Sequence, residues 1–307
     1  ISQQIIRESE VSDILRDDWS VDPGRVANLI RGGTSLSGID MLLSSLVTGA
    51  LDTDKLDYLV RDARACNVPY GVVDVERLIQ SLRVWRDRKS GQPRLVVDEK
   101  GIGPMQSLVF AKYLMFANVY WHHTSRVATV MFLRAIHDAL DAGSISPSAV
   151  EQSDDRSLLQ ALRTRSHPQS STFRLVNALE ARRLFKRAVV LTPDDALYQH
   201  LKRLKPFPSV RREVEQRWVA MLREDSQRPL ELEEESVLLD IPESKRFSTS
   251  MDVVCDVPPR GFENPVPWSV ISGLTEQDMA RYQYAVHRVR IVAANESLAH
   301  DVQANQE

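Results

Sequence analysis

The sequence predicts a mainly α-helical protein with a small β-hairpin and a C-terminal α/β module. Three observations carry this prediction. The stretch from Met105 to Ala142 contains no glycine or proline, which is typical of long helices. Around residues 83–98 the spacing of apolar residues changes from a helical period to the alternation of strands. After Glu231 short apolar and alternating runs, typical of strands, return.

The composition indicates a soluble globular protein. The chain has 307 residues, of which 43% are hydrophobic and 26% are charged, a length that suits one large or two modest domains. A net charge of −3 gives no general attraction for nucleic acids or acidic membranes, so we expect neither as a partner. Cys66 and Cys255 lie far apart and form no CxxC pattern, which favours a reducing cytoplasm.

The first hundred residues read as short helices followed by a hairpin. Residues 1–16 resemble a helix already under way at Ile1, with an apolar stripe formed by Ile5, Ile6, Val11, Ile14 and Leu15. Asp74 is a candidate N-cap for a helix over residues 75–82. Two strand candidates, 83–86 and 94–98, flank a Lys-Ser-Gly-Gln turn at residues 89–92 and predict the hairpin.

The remaining residues divide into a helical and a mixed part. Residues 105–142 predict one long helix, or two with a slight kink. Polar and basic residues such as Lys112, His122 and Arg126 interrupt its apolar residues too often for a membrane span. Residues 148–223 read as helical. Strand candidates follow at 236–242, 250–257 and 288–293, before a polar tail that we expect to be frayed. We therefore predict domains at 1–142, 143–230 and 231–307.

The segment from Leu51 to Asp62 carries four carboxylates, two cations and a tyrosine interleaved with apolar residues. In a helix, a rotation of roughly 100° per residue places Lys55, Tyr58 and Asp62 on the same face as Asp54. The leucines at 56 and 59 fall on the opposite face. One side of this helix therefore contacts a core, and the other presents groups that suit a hard cation, a phosphate chain and a sugar.

The polar pattern of this segment resembles that of the HD-domain phosphohydrolases, and most closely the branch that includes deoxynucleoside triphosphate triphosphohydrolases. The residues that carry the resemblance are Asp52-x-Asp54-Lys55-x-Asp57-Tyr58-x-x-Arg61-Asp62, Asn67-Val68-Pro69-Tyr70-Gly71 and Asp74-x-Glu76-Arg77-Leu78-Ile79. The run from Phe110 to His122 also resembles the family's substrate-pocket helix. The resemblance covers about residues 1–140 and implies an HD-like helical core.

The resemblance implies a role for each polar residue of the segment. Asp54 matches the last metal-binding aspartate, and a carboxylate suits Mg, Mn or Fe. Lys55 is similar to the phosphate-binding lysine, Tyr58 to the tyrosine against the sugar, and Asp62 to the acceptor of the 3′-hydroxyl hydrogen bond. The alternatives are a solvated aspartate for Asp54, a lysine paired with Asp52 or Asp62, a half-buried tyrosine, and a surface pair of Asp62 with Arg61 or Lys55. From their position off this face, we expect Asp52 to be a helix-start charge and Asp57 a salt-bridge partner.

The resemblance also implies roles for residues outside this segment. Lys112 stands where the family usually has a phosphate-binding arginine, and Tyr120 lies on the same pocket helix; a plain core aromatic is the alternative for Tyr120. Arg182 and Lys186 resemble cations of an effector site in nucleotide-activated relatives, with a basic amphipathic helix face as the alternative. His137-Asp138 follows Asp54, against the family order, and reads as a solvated helix terminus.

The resemblance implies a metal-dependent phosphohydrolase, in which metal-activated water attacks a nucleotide phosphorus and a deoxynucleoside triphosphate yields deoxynucleoside plus triphosphate. The family's first His and its His-Asp pair precede the matched segment and are not in this sequence, so we expect that an N-terminal part is missing. A His and a His-Asp pair in that part would favour an enzyme, and their absence would favour a regulator. The alternatives are a nucleotide monophosphate hydrolase and a non-catalytic HD-like regulatory or partner-binding protein. Relatives often self-associate, so we expect a homo-oligomer.

Overall fold

A computed structural model describes residues 1–33, 36, 38–225, 232–243 and 251–305. The chain forms two compact units. The first comprises Ile1–Ala117 with Lys245–Ala285, and the second comprises Asn118–Ser244 with Val286–Glu307. Helices dominate both units, and the described residues form two small sheets, so the predicted mainly α class is confirmed.

The helices and strands are numbered in chain order. The α-helices are α1 Ser2–Glu8, α2 Glu10–Asp13, α3 Pro23–Arg31, α4 Gly38–Thr48, α5 Thr53–Ala65, α6 Val75–Gln80, α7 Ile102–Met115, α8 His123–Asp141, α9 Pro147–Glu151, α10 Asp155–Arg165, α11 Ser171–Glu180, α12 Ala196–Lys202, α13 Pro208–Asp225, α14 Trp268–Ser272, α15 Glu276–Val286 and α16 Glu296–Ala304. The strands are β1 Leu82–Arg86, β2 Pro93–Asp98, β3 Lys186–Leu191, β4 Val237–Asp240, β5 Asp252–Val254, β6 Val266–Pro267 and β7 Val289–Ala293.

The sheet of the first unit confirms the predicted hairpin. Its strand order is β1-β2-β5-β6, with β1 and β2 antiparallel from Leu82 opposite Val97 to Arg86 opposite Pro93. Strand β5 runs parallel to β2, and an ion pair between Arg94 and Asp252 joins them. The sheet of the first unit therefore includes a strand that lies more than 150 residues after β2 in the chain.

The helix that carries the polar motif lies in the first unit. Helix α5 buries Leu59 and Ala63 and packs against α7 and against a 3₁₀ turn at Pro69–Gly71. Gly71 is required there because a Cβ atom at this position would lie 2.2 Å from the Cβ of Ala63. Helix α6 begins as predicted, since the Asp74 carboxylate accepts a hydrogen bond from the amide of Arg77 at 3.0 Å.

The N-terminal stripe is only partly as predicted. The first 18 residues form α1, α2 and a π-helical turn, which bends the chain between Ile6 and Leu15. These two side chains are buried with α3, whereas Ile5, Val11 and Ile14 are exposed. The prediction of one continuous apolar stripe was wrong, because the segment is not one helix and only Ile6 and Leu15 of the five residues pack into the core.

The second unit is built on a three-stranded antiparallel sheet in the order β3-β7-β4. Leu238 and Val292 face a core formed with α8, α10 and α11. Leu239 and Ile291 face the opposite core, formed with α12, α13 and α16. Since helices cover both faces, every residue of β4 and β7 is buried, which explains why both strands are apolar except for the facing pair Asp240 and Arg290.

The stretch 105–142 forms two helices, the second of the two forms predicted for it, because α7 ends at Met115 and a π-helical turn at Phe116–Tyr120 precedes α8. Two predictions about the second unit need correction. Residues 186–191 were read as helical but form the strand β3. The polar tail is helical as far as Ala304, because Asn295 caps α16 and Leu298 packs into the core.

The compact units divide the chain at other residues than the predicted domains at 1–142, 143–230 and 231–307. Residues 118–142 pack within the second unit, and the strands after residue 231 are shared between the two sheets. Among the helices described, none has the length and apolar character needed to cross a membrane.

Candidate functional site

The start of α5 is fixed by one carboxylate. Asp52 is the N-cap residue, and its Oδ1 atom accepts a hydrogen bond from the Lys55 amide at 2.8 Å. Aspartate is favoured at this position because it satisfies amide groups that the first helical turn leaves without partners. The predicted role of Asp52 as a helix-start charge is confirmed, and the cap sets where the polar face of α5 begins.

The same carboxylate engages the side chain of Lys55. The Lys55 ammonium forms an ion pair with Asp52 Oδ2 and donates a hydrogen bond to the carbonyl of Gly49 at 2.9 Å. Lys55 keeps 21% of its side chain exposed and Asp52 keeps 13%. Lysine pairing with Asp52 was one of the two alternatives weighed for this residue. The ammonium therefore lies beside α5 with one anionic partner already in place.

Tyr58 lies among the carboxylates of this helix. Burial raises the pKa of its phenol to about 12, and Asp52, Asp54 and Asp62 contribute to the same shift. The structure thus brings Asp54, Tyr58 and Asp62 together as the helical rotation predicted. Tyr58 and Asp62 are half-buried, whereas Asp54 is exposed.

The charges on either side of this face pair locally. Asp57 forms an ion pair with Arg61 one turn later, which confirms its predicted role as a salt-bridge partner. Arg61 also lies 3.5 Å from the carboxylate of Asp62. Asp62 is thereby held at the edge of the Tyr58 cluster.

The metal prediction rests on a single residue. Among the residues that the structure describes, no three His, Cys, Asp or Glu side chains are grouped so that they could hold a metal ion. Divalent cations such as Mg²⁺ and Ca²⁺ require several oxygen ligands. The described residues therefore do not by themselves fit a complete metal site, and Asp54 offers one carboxylate.

Lys112 and Tyr120 fall in different compact units. Lys112 is half-buried on α7, the helix that packs against α5 in the first unit. Tyr120 is half-buried at the end of the π-helical turn and belongs to the second unit. Their predicted substrate-binding roles stay predictions.

Arg182 and Lys186 line one cavity of about 500 Å³ in the second unit. Arg187 contributes a third cation, and we call this site the cationic cavity, defined by Arg182, Lys186 and Arg187. Glu296 is the carboxylate on its wall, and one of its oxygens lies 3.8 Å from the Lys186 ammonium. The cavity thus carries more positive than negative charge and can accept an anion.

Two histidines complete the wall of the cationic cavity, and sequence reasoning missed both. His123 comes from the first turn of α8 and His300 from α16. Burial lowers the pKa of His123, and the neighbouring His122 and Arg187 lower it further. The two histidines are more than 100 positions apart in the chain, so no local pattern could group them.

His137-Asp138 is not the solvated helix end that the sequence suggested. The Asp138 carboxylate accepts hydrogen bonds from Arg134 at 2.8 Å and from Ser171 at 2.5 Å, and it pairs with Arg212. Arg134 in turn forms an ion pair with the buried Glu215. The dipeptide is therefore part of an ion network that ties α8 to α11 and α13. The i, i+4 spacing of Arg134 and Asp138 was the signal that could have indicated it.

Comparison with known proteins places the chain in a family. A family model described as the HD associated region matches residues 73–260. The uncharacterized protein MJ1154 of Methanocaldococcus jannaschii is 28% identical over 148 residues, which is 48% of this chain and 31% of that protein. The uncharacterized protein YwfO of Bacillus subtilis is 32% identical over 135 residues, which is 44% of this chain and 29% of that protein. The matched part thus spans about a third of these relatives.

Solved structures share the fold. A hypothetical protein from Aquifex aeolicus matches with a TM-score of 0.62 and 21% identity, over 100% of this chain and 71% of that one. A phosphohydrolase (BT4208) from Bacteroides thetaiotaomicron matches with a TM-score of 0.58 and 20% identity, over 93% of this chain and 71% of that one. The family match covers more than half of the residues, and the chain therefore belongs to the HD-associated region family.

Proposed function

We propose that this chain forms part of an HD-type phosphohydrolase that cleaves a deoxynucleoside triphosphate into deoxynucleoside and triphosphate. The observation that carries the proposal is the cluster on α5, where Tyr58 lies among Asp52, Asp54 and Asp62 beside the Lys55 ammonium. Family membership and the phosphohydrolase from Bacteroides thetaiotaomicron among the similar folds support it.

Each group of the cluster suits one part of such a substrate. Lys55 supplies a positive charge for the phosphate chain. Tyr58, whose pKa is raised to about 12, keeps a neutral hydroxyl at physiological pH and can lie against the sugar. Asp62 offers an acceptor for a sugar hydroxyl. In this proposal Lys112, on the helix that packs against α5, provides a further substrate contact. The substrate-binding role of Tyr120 stays a separate prediction.

Asp54 would give one oxygen ligand to a divalent metal, Mg, Mn or Fe. Its remaining ligands are not grouped among the described residues of this chain. We therefore assign Asp54 to metal binding alone and derive no catalytic step through the ion. Because the relatives extend well beyond the matched part, the complete protein is the form in which to test activity.

The test is hydrolysis of deoxynucleoside triphosphates by the complete protein with Mn²⁺ or Mg²⁺, comparing Asp54→Ala with Asp57→Ala. Both substitutions remove an exposed carboxylate from α5, but Asp57 pairs with Arg61 and lies off the cluster. Loss of residues that only support metal ligands costs about 10–100-fold, so losing a ligand is expected to cost at least about 100-fold. Asp57→Ala should retain activity. Equal activity in the two variants would refute the ligand role.

A non-catalytic regulatory protein is the second candidate. The observation that favours it is the ion pair of Lys55 with Asp52. In this pair the carboxylate already neutralises the lysine that the first proposal assigns to the phosphate chain. The same assay separates the candidates when nucleoside monophosphates are included. Nucleotide binding by calorimetry without any turnover would favour the regulator, and turnover of monophosphates alone would favour a monophosphate hydrolase.

We also propose that the cationic cavity binds an anionic nucleotide effector. Support comes from Arg182, Lys186 and Arg187 on its wall and from a volume that suits a small ligand. Inorganic tripolyphosphate is the probe, and Arg183→Ala is the matched control because Arg183 is exposed and does not line the cavity. Hydrogen bonds to charged groups contribute about 1.5–3 kcal/mol, so Arg182→Ala should weaken binding at least about tenfold. Equal affinities in the two variants would contradict this site.

A further inference from the structure

The end of β4 carries a buried carboxylate that the proposed site does not use. Asp240 is 1% exposed. It accepts hydrogen bonds from Arg126 Nε at 3.1 and 3.2 Å and from Arg290 Nη1 at 3.2 Å, and it forms an ion pair with Arg126. Asp240 and Arg290 lie directly opposite each other in the register of β4 and β7. Two cations from different elements thus converge on one carboxylate.

Arg290 connects this carboxylate to a junction in the backbone. Its Nη2 atom donates a hydrogen bond to the carbonyl of Trp121 at 3.0 Å. The indole of Trp121 is also buried and stacks on the ring of His287, with centroids 5.0 Å apart. Trp121 is therefore held at its carbonyl by Arg290 of β7 and at its indole by His287, which lies next to β7.

The junction at Trp121 separates two residues of functional interest. Tyr120 comes one residue before it, at the end of the π-helical turn. His123 comes two residues after it, begins α8 and lines the cationic cavity. Arg126 follows within the first turn of α8, so Asp240 holds the junction on both sides. A displacement of α8 at the cavity would therefore shift the Trp121 carbonyl.

We propose that Asp240, acting through Arg290, is a positioning residue that sets the backbone between Tyr120 and His123 and so couples the cationic cavity to Tyr120. The coupling rests on the proposed binding of an anion in that cavity. The plainer alternative is that this ion network only stabilises the second unit, as buried ion pairs also do when they have no role at a site.

The test is hydrogen–deuterium exchange on the 307-residue chain, comparing wild type with Asp240→Asn. Glu235→Gln is the matched control, because Glu235 is a buried acid paired with Arg174 in the same unit and has no bond to Trp121. We expect Asp240→Asn to speed amide exchange over residues 118–123 by about tenfold, the change that a loss of about 1.4 kcal/mol in local opening free energy produces. Glu235→Gln should leave exchange in this segment unchanged.

The second arm adds saturating tripolyphosphate. In wild type, tripolyphosphate should slow amide exchange over residues 118–123, whereas in Arg182→Ala it should not. Asp240→Asn should still bind the probe, but binding should not slow amide exchange at Tyr120. If wild type does not bind tripolyphosphate, the effector proposal fails, while the ligand-free comparison still decides the role of Asp240.

Unchanged exchange over residues 118–123 in Asp240→Asn, or an equal rise throughout the second unit, would overturn the inference. So would protection of this segment by tripolyphosphate that persists in Asp240→Asn. If Asp240→Asn does not fold, Arg290→Lys serves in its place, because lysine keeps the charge but lacks the second terminal nitrogen that reaches Trp121.

Discussion

Replacing Gly71 with alanine tests how α5 is held against the 3₁₀ turn behind it. The new Cβ atom would lie 2.2 Å from the Cβ of Ala63 and 2.6 Å from the carbonyl oxygen of Leu59. Carbon atoms in contact normally lie about 3.5–4.0 Å apart, so the turn and α5 must separate by more than 1 Å. Because one of the close atoms belongs to the backbone, a side-chain rotation cannot relieve the clash.

The expected cost is that of an overpacked core, about 1–3 kcal/mol in the free energy of unfolding. Gly103→Ala is the matched control. Gly103 lies inside α7, and an added Cβ atom there meets nothing within 4 Å. The same substitution should therefore change the free energy of unfolding by no more than about 0.5 kcal/mol. Alanine restricts the unfolded chain more than glycine does, and the preference of a residue before Pro104 for extended backbone offsets this gain.

Urea denaturation followed by circular dichroism measures both changes. Adding Ala63→Gly to Gly71→Ala removes one of the two close contacts, so the double variant should be more stable than the two single effects predict. The separation of α5 from its support should also alter the Tyr58 cluster, and Gly71→Ala should weaken nucleotide binding. If Gly71→Ala is as stable as Gly103→Ala, the packing described for α5 is wrong.

Substitutions at three further positions have expected results, each measurable by urea denaturation. Asp52→Ala should lower the free energy of unfolding by about 1 kcal/mol through loss of the α5 cap, whereas Asp52→Asn should keep the cap. Arg134→Ala should cost about 3–5 kcal/mol, because it removes the closer of the two arginines that pair with buried Glu215. Burial lowers the pKa of His137 from its ordinary value of 6.5, and two neighbouring arginines lower it further. Below pH 6.5 the unfolded chain therefore binds a proton at this histidine more readily than the folded chain does. Stability should therefore fall on acidification, and His137→Asn should reduce that fall; an unchanged pH dependence would contradict the assignment.

Elements with strong local signals were predictable. The cap at Asp74 and the Lys-Ser-Gly-Gln turn were enough to predict α6 and the hairpin. Strand β3 was not, because it begins with two exposed cations and has an irregular register between Arg187 and Val189. That segment is a strand because it pairs with β7, and a pairing between distant segments leaves no signal in the local sequence.

The same division applies to the candidate site. A rotation of about 100° per residue was sufficient to place Asp54, Tyr58 and Asp62 on one face of α5. The groups that hold Lys55 include the carbonyl of Gly49, which depends on how the chain enters the helix. The wall of the cationic cavity depends on β3 and α16, so a local reading could indicate Arg182 and Lys186 but not their neighbours.

The interrupted course of the first unit has a consequence for synthesis on the ribosome. Strand β2 emerges early, but its parallel neighbour β5 follows more than 150 residues later. Until then one edge of β2 lacks that neighbour, and open strand edges invite pairing with other chains. The hairpin edge next to β5 is thus where nascent chains would be most exposed to mispairing, and where a chaperone would offer most protection.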